Sequence, residues 1–301
     1  MAFASTDPRS QLATADRPTG DEGIAAPEFA DFTTTAPTEV SDLGSRTWYV
    51  RAQNVVLAYT EAVAGEVLPR TGDPDEYVVL LPHETSAVRA RAGGAEVELS
   101  GQGLIVVPPG DSEVVAVGAT HLVRLFRPDA PGVAERAVNA ASYAEPHPRV
   151  AVADRWPAPV DGDRLRVYPV GGIERAPDRF GRIFRTRSFM VNFLYPHHGP
   201  RDPEKLSPHH HDDFEQVSLA VRGEFTHHIR TPWTTARSRW REDVHETLPS
   251  PSVAVIPPPT VHTSEAVGAG LNQLVDIFAP PRRDFSAKPG WVLNADEYPA
   301  P

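Results

Sequence analysis

The sequence predicts an all-β protein made of two copies of one β-domain, and three observations carry that reading. Short runs of β-branched and aromatic residues recur along the chain, separated by Gly, Pro and polar residues, which is the texture of a sandwich or barrel. Pro is used 32 times in 301 residues, which disfavours long helices and suits short strands joined by rigid turns. The two halves also resemble each other. Leu104-Ile-Val-Val-Pro-Pro-Gly-Asp-Ser-Glu-Val-Val-Ala-Val-Gly118 aligns with Val253-Ala-Val-Ile-Pro-Pro-Pro-Thr-Val-His-Thr-Ser-Glu-Ala-Val-Gly268, with one extra residue near the end of the second. Upstream, Asp75-Glu-Tyr-Val-Val-Leu-Leu81 aligns with Phe214-Glu-Gln-Val-Ser-Leu-Ala220.

Taken in order, residues 1–45 are rich in Ala, Thr, Pro, Asp and Glu, with Phe3, Phe29 and Phe32 as the only aromatics. Such a segment buries too little apolar area to offset its ordering entropy, so it is expected to be a flexible arm; docking through Phe29 and Phe32 is the alternative. Residues 46–130 form the first β-domain, with runs such as Trp48-Tyr-Val-Arg, Tyr77-Val-Val-Leu-Leu and Leu122-Val-Arg-Leu-Phe. Residues 131–164 are expected to hold one short helix, Gly132 to Tyr143 after the Pro131 start signal, and a Pro-rich linker from Glu145 to Pro159. Residues 165–285 repeat the β texture, and residues 286–301 form a tail.

Composition bounds the function. An apolar fraction of 40% is adequate for a core, and a net charge of −11 argues against a partner that presents a phosphate backbone. There is no apolar run near 18 residues and no basic-then-apolar leader after Met1, so the expectation is a soluble cytoplasmic protein with no membrane contact. With no cysteine, a transition metal would have to be held by His, Asp and Glu.

Such a set of donors is present. Nine of the twelve histidines lie between His197 and His262. His209 and His211 are two apart, so on an extended strand they project from one face, roughly 6 to 7 Å apart along it, close enough for both to ligate one ion. Glu215 shares their parity with Val217, Leu219 and Val221, which reads as a strand whose inward face begins with a carboxylate and continues apolar. His262 follows about forty residues on in Ile256-Pro-Pro-Pro-Thr-Val-His262.

These residues resemble the cupin superfamily, specifically a bicupin. The family pattern is a Gly, five residues, His-x-His, three or four residues, Glu, six residues and Gly, followed by a second motif of Pro-x-Gly, two residues and His. His209-x-His211, Glu215, Gly223 and Pro257-x-Pro259-Thr-Val-His262 fit it, with Pro203 and Pro259 at the motif glycines and Ala266 at the trailing Asn. The resemblance covers residues 47–280 and implies two jelly-roll β-barrels with a metal inside the second. Two counts compete for the carboxylate position: three residues after His211 selects Glu215, as parity does, whereas six residues before Gly223 selects Gln216. Glu215 is preferred. In the first half the ligand positions become Arg70, Gly72 and Glu113, so that barrel is expected to be structural, with one divalent transition metal per chain held by His209, His211, Glu215 and His262. Fe(II) is favoured over Mn, Ni or Zn.

The remaining candidates are weighed against blander readings. His210 has the opposite parity and is expected on the outer face; His197 and His198 read as solvated loop residues or as lining the barrel mouth. One of His227 and His228 must face inward, and His227 is preferred as an acid/base group. Trp233, Trp240 and the arginines between Arg230 and Glu246 read as a lid or an interface, and Arg282 and Arg283 as surface or salt-bridge residues. The expected function is a metal-dependent oxygenase (dioxygenase-like) acting on a small organic substrate in a homodimer. A metal-dependent isomerase or epimerase of a sugar-like or keto acid, and a non-catalytic binding cupin, are the alternatives.

Overall fold

The computed structural model describes residues 23–212 and 214–301. Its strands in chain order are β1 (Glu28–Asp31), β2 (Glu39–Val40), β3 (Arg46–Arg51), β4 (Val56–Ala62), β5 (Val67–Asp73), β6 (Tyr77–Leu81), β7 (Ala87–Ala92), β8 (Ala95–Ser100), β9 (Gly103–Val107), β10 (Gly110–Ala116) and β11 (Thr120–Phe126). They continue with β12 (Arg166–Pro169), β13 (Gly181–Arg185), β14 (Met190–Leu194), β15 (His197–His198), β16 (Glu215–Arg222), β17 (Glu224–Arg230), β18 (Val244–Pro249), β19 (Ser252–Ile256), β20 (Val261–Ala266) and β21 (Leu271–Ala279). In the first barrel the sheet β12-β9-β6-β11-β4-β3-β2 faces β5-β10-β7-β8. In the second, β1-β19-β16-β21-β14-β13, with β15 on β21, faces β18-β17-β20. The architecture is all-β, two jelly-roll barrels.

Alternation divides the apolar residues between two cores. In the first barrel Val56, Ala58, Tyr77, Val79, Val88, Ala90, Val114 and Phe126 pack into its interior. Residues of opposite parity on the same strands, including Leu57, Val78, Leu80 and Val123, pack against Val191, Val217, Leu219, Val253 and Ile277 of the second barrel. The two large sheets therefore meet face to face across a hydrophobic layer, and each sheet is buried on both sides.

Strand exchange ties the barrels together. β1 lies on β19 of the second barrel, with Phe29 opposite Ala254, and β12 lies on β9 of the first, with Val167 opposite Ile105. Of the segment expected to be a flexible arm, residues 1–22 lie outside the described residues, while the rest is built in: Phe32 is 3% exposed and stacks on Tyr59 at 4.9 Å. The single helix expected over residues 132–143 is instead two 3-10 turns, Ala134–Arg136 and Ala140–Tyr143. It is interrupted because Val138 N donates to the Tyr49 carbonyl and the Asn139 amide bonds both N and O of Arg51. The tail is also packed in, with Tyr298 buried and the Arg185 guanidinium donating to its carbonyl.

The duplication shows in a reciprocal clasp. The turns after β3 and after β13 are matched, with Ala52 N on the Val55 carbonyl and Thr186 N on the Phe189 carbonyl. Gln53 N and Asn54 N of the first turn donate to the Glu215 carboxylate at 2.9 and 2.8 Å. Arg187 N of the second donates to Glu76 at 2.8 Å, where the Tyr298 hydroxyl donates at 3.0 Å.

Candidate metal centre

The clasp corrects the assignment of Glu215. Every residue of β16 from Glu215 to Val221 is buried, so parity cannot distinguish barrel interior from interdomain layer. Val217, Leu219 and Val221 face the other barrel, and Glu215, on their side, spends its carboxylate on the Gln53 and Asn54 amides. The polar face is the interior one: Gln216 and Ser218 point inward, where Asp276 of β21 sits opposite Ser218. The Gln216 amide nitrogen donates to Ser218 Oγ at 2.9 Å and Asp276 Oδ1 at 3.3 Å, and Ser218 Oγ donates to Asp276 Oδ1 at 2.6 Å.

The three motif histidines do come together. His209 and His262 exchange backbone hydrogen bonds of 3.0 and 2.8 Å, which puts their rings 4.5 Å apart. The His211 ring lies 5.0 Å from that of His262 and stacks on Phe214 at 4.1 Å. His262 is presented by a tight turn in which Thr260 Oγ1 donates to the Pro257 carbonyl at 2.7 Å.

Hydrogen-bond chemistry orients the lone pairs. His209 Nδ1 is 2.9 Å from the Ser207 carbonyl and His262 Nδ1 is 3.1 Å from the Thr260 carbonyl. A carbonyl only accepts, so each Nδ1 carries the hydrogen and each Nε2 presents a lone pair. His262 Nε2 stands 3.3 Å from Gln216 Oε1, whose own orientation is fixed by the amide nitrogen's bonds to Ser218 and Asp276. Two acceptors thus face each other. Burial, reinforced by His209, pushes the His262 pKa down to about 3, so a shared proton does not resolve the contact. Burial and the adjacent His262 also hold His211 well below its ordinary value, and both of its ring nitrogens are buried without a hydrogen-bond partner. Among the described residues no three His, Asp or Glu side chains are closed to ligating spacing. The donor set nevertheless fits a cation: three clustered imidazoles and an amide oxygen, with the His211 nitrogens buried and unpartnered and the lone pairs of His262 Nε2 and Gln216 Oε1 opposed.

Around this cluster the interior holds further polar groups that sequence reasoning missed. Asp276 is buried, and burial raises its pKa against the opposing Ser218 hydrogen bond; a lone acid in the apolar run Leu274-Val-Asp-Ile-Phe278 was the available signal. Asn192 has neither amide atom partnered. His227 faces inward, 1% exposed, with Nδ1 2.9 Å from Ser264 Oγ and Nε2 buried and unpartnered. Burial, with His228 alongside, lowers its pKa to about 4. The β1 residue Phe29 lies 6.3 Å from its ring.

The other candidates are distributed outside. His228 points away, its Nδ1 2.7 Å from His245 Nδ1. His210, expected on the outer face, lies beside Asp212 with its side chain 11% exposed. His197 and His198 are exposed on β15. Arg282, expected as a surface or salt-bridge residue, pairs with Asp284 at 2.6 Å and is largely buried over Phe214 and Phe285. Trp233 and Trp240 stack at 4.3 Å on the surface beside a cavity of about 890 Å³. A smaller cavity of about 220 Å³, lined by Pro208, Ile229, Asp243, His245, Val261 and His262 among others, reaches the histidine cluster from outside. In the first barrel Glu113 points outward to Arg91; Ser112, not Glu113, faces Tyr77 as His262 faces Gln216.

No helix among the described residues is long and apolar enough to cross a membrane. Neither a family model nor a curated protein sequence matches the chain. Solved structures do. An oxalate decarboxylase–formate complex from Lactobacillus farciminis superposes with a TM-score of 0.58 at 10% identity, covering 91% of this chain and 94% of that one. A single-site mutant of the Bacillus subtilis oxalate decarboxylase gives 0.56 at 12% identity over 92% and 85%. AerE from Microcystis aeruginosa gives 0.51 at 8% identity over 86% and 99%. At these identities the likeness concerns the fold, and it extends over both barrels: the chain has the two-barrel architecture of these proteins.

Proposed function

We propose that the chain is a metal-dependent enzyme acting on a small organic substrate, with one divalent transition metal held by His209, His211 and His262 and, in place of Glu215, by Gln216. The observation that carries this is the pair of lone pairs facing each other at 3.3 Å between His262 Nε2 and Gln216 Oε1, next to the unpartnered His211 ring. A divalent ion there would supply Lewis acidity toward a substrate oxygen and, if it is iron, redox chemistry with O₂. None of the four donors is a carboxylate, and the nearest acid, Asp276, is spent on Ser218 and Gln216, so the ion would keep most of its positive charge. That favours a substrate that binds as an anion, such as an enolate, catecholate or carboxylate.

His227 supplies the proton chemistry. It stands opposite Ser264 in the β17–β20 register, two residues from His262 and so roughly 6 to 7 Å along the strand. Neutral at physiological pH, it can accept a substrate proton at Nε2 while Ser264 Oγ holds Nδ1. Phe29, Ile229 and Ile256 form the apolar side of the chamber. An Fe(II) oxygenase is the preferred finer reading, and the free Nε2 of His227 favours an isomerase as the second. Protein loaded separately with Fe(II) and Zn(II) separates them: O₂ uptake with enols, catechols or thiols in the iron form alone supports the oxygenase, and full turnover of a keto acid with zinc supports the isomerase. Absence of turnover in both loaded forms overturns the enzymatic reading.

A further inference from the structure

The first barrel, stripped of histidines, has its own charged interior. Arg124 of β11 stands opposite Val79, and Asp276 of β21 stands opposite Ser218; Val79 and Ser218 each lie three residues beyond the clasp glutamates, Glu76 and Glu215. The duplicated position therefore carries a carboxylate in one barrel and a guanidinium in the other. Arg124 is 4% exposed, and its Nε is buried with no hydrogen-bond partner. Among the described residues no carboxylate is paired with it. A guanidinium is always charged, and burying it unpaired is costly.

The surroundings suit an anion. Arg70 approaches the same ring, Phe126, at 4.9 Å, with Arg124 at 5.6 Å. The interior acid there, Asp73, is already engaged by Arg70 through Nε at 2.9 Å and Nη2 at 2.5 Å, which leaves the charge of Arg124 uncompensated. Tyr77, stacked on Phe126 at 5.0 Å, shares a hydrogen bond of 3.0 Å with Ser112 Oγ. Burial raises the Tyr77 pKa, so its hydroxyl stays protonated. One unpaired fork donor and the single hydroxyl hydrogen not used between Tyr77 and Ser112 then face an interior walled by Val79, Val88, Val114 and Phe126.

We propose that the first barrel is a binding site for a small monoanionic carboxylate, held bidentate by Arg124, with the hydroxyl hydrogen left free by the Tyr77–Ser112 bond as a further donor. In this arrangement the two barrels have diverged into a cation site and an anion site within one chain.

The test titrates the full-length protein with sodium acetate against the bulky HEPES anion at constant ionic strength, following thermal unfolding. Wild type is expected to show a saturable rise in Tm. R124Q abolishes it, and Y77F, which keeps the ring and its packing, moves the acetate midpoint up by about five- to tenfold. H262A keeps it intact, which separates this site from the metal centre. Should R124Q not fold, the Y77F midpoint decides. An acetate-independent Tm in wild type, a Y77F midpoint equal to wild type, or loss of the effect in H262A overturns the proposal.

Discussion

Glu215→Ala is the sharpest probe of how the two neighbours at the start of β16 divide their roles. The substitution removes the acceptor of two backbone amides, Gln53 N and Asn54 N, at 2.9 and 2.8 Å. Leaving two buried N–H groups unsatisfied costs about 2–6 kcal/mol. Part of that is offset, because burial already disfavours the carboxylate and pushes its pKa up to about 7, so a net loss near the lower figure, about 2 kcal/mol, is expected. Chemical denaturation at neutral pH measures it, with metal content determined on the same preparations. E215A should lose stability and retain metal, and Q216L should lose metal affinity. If E215A instead lost its metal at unchanged stability, the reasoning that separates clasp from ligand would be refuted.

Other outcomes test different parts of the molecule. Glu215 has a folded pKa of about 7 against an ordinary 4.5, and burial raises Glu76 as well, so the folded state holds protons that the unfolded chain has released. Stability should therefore be highest below pH 4.5 as far as these groups are concerned and fall as pH rises through 7, by at most about 3 kcal/mol from Glu215; E76Q should flatten the slope in denaturation profiles taken across that window. H227Q should lower kcat by about 100-fold with metal content unchanged, and a loss of metal would reassign the residue. Phe32→Ala empties a site stacked on Tyr59 and should cost about 3–5 kcal/mol by denaturant titration; a neutral result would mean that the N-terminal segment does not anchor the barrels.

Much of this was legible in the chain. Short β runs with Pro and Gly between them foretold the strands, and the alignment of Asp75-Glu76 with Phe214-Glu215 foretold a true structural equivalence, since both glutamates accept backbone amides from the opposite barrel. That His209, His211 and His262 lie close together was legible from spacing. The face of Glu215 was not, because the parity argument assumes one wet and one buried face, whereas β16 is buried on both: its apolar side meets the other barrel and its polar side lines the interior. The six-residue count back from Gly223 pointed to Gln216, and burial geometry agrees with that count. Strand exchange through β1 and β12 left no local signal, since pairing partners far apart in sequence are fixed by tertiary packing. The offset between Ser112 and His262 was hidden by the extra residue in the second copy.

The central claim is that His209, His211, His262 and Gln216 hold one divalent metal inside the second barrel. The most direct test is elemental analysis of natively purified protein beside its His262→Ala variant, with circular dichroism confirming that both are folded. The account predicts about one equivalent of a transition metal per chain in the wild type and its loss in the variant. Undiminished metal in the folded variant would contradict it.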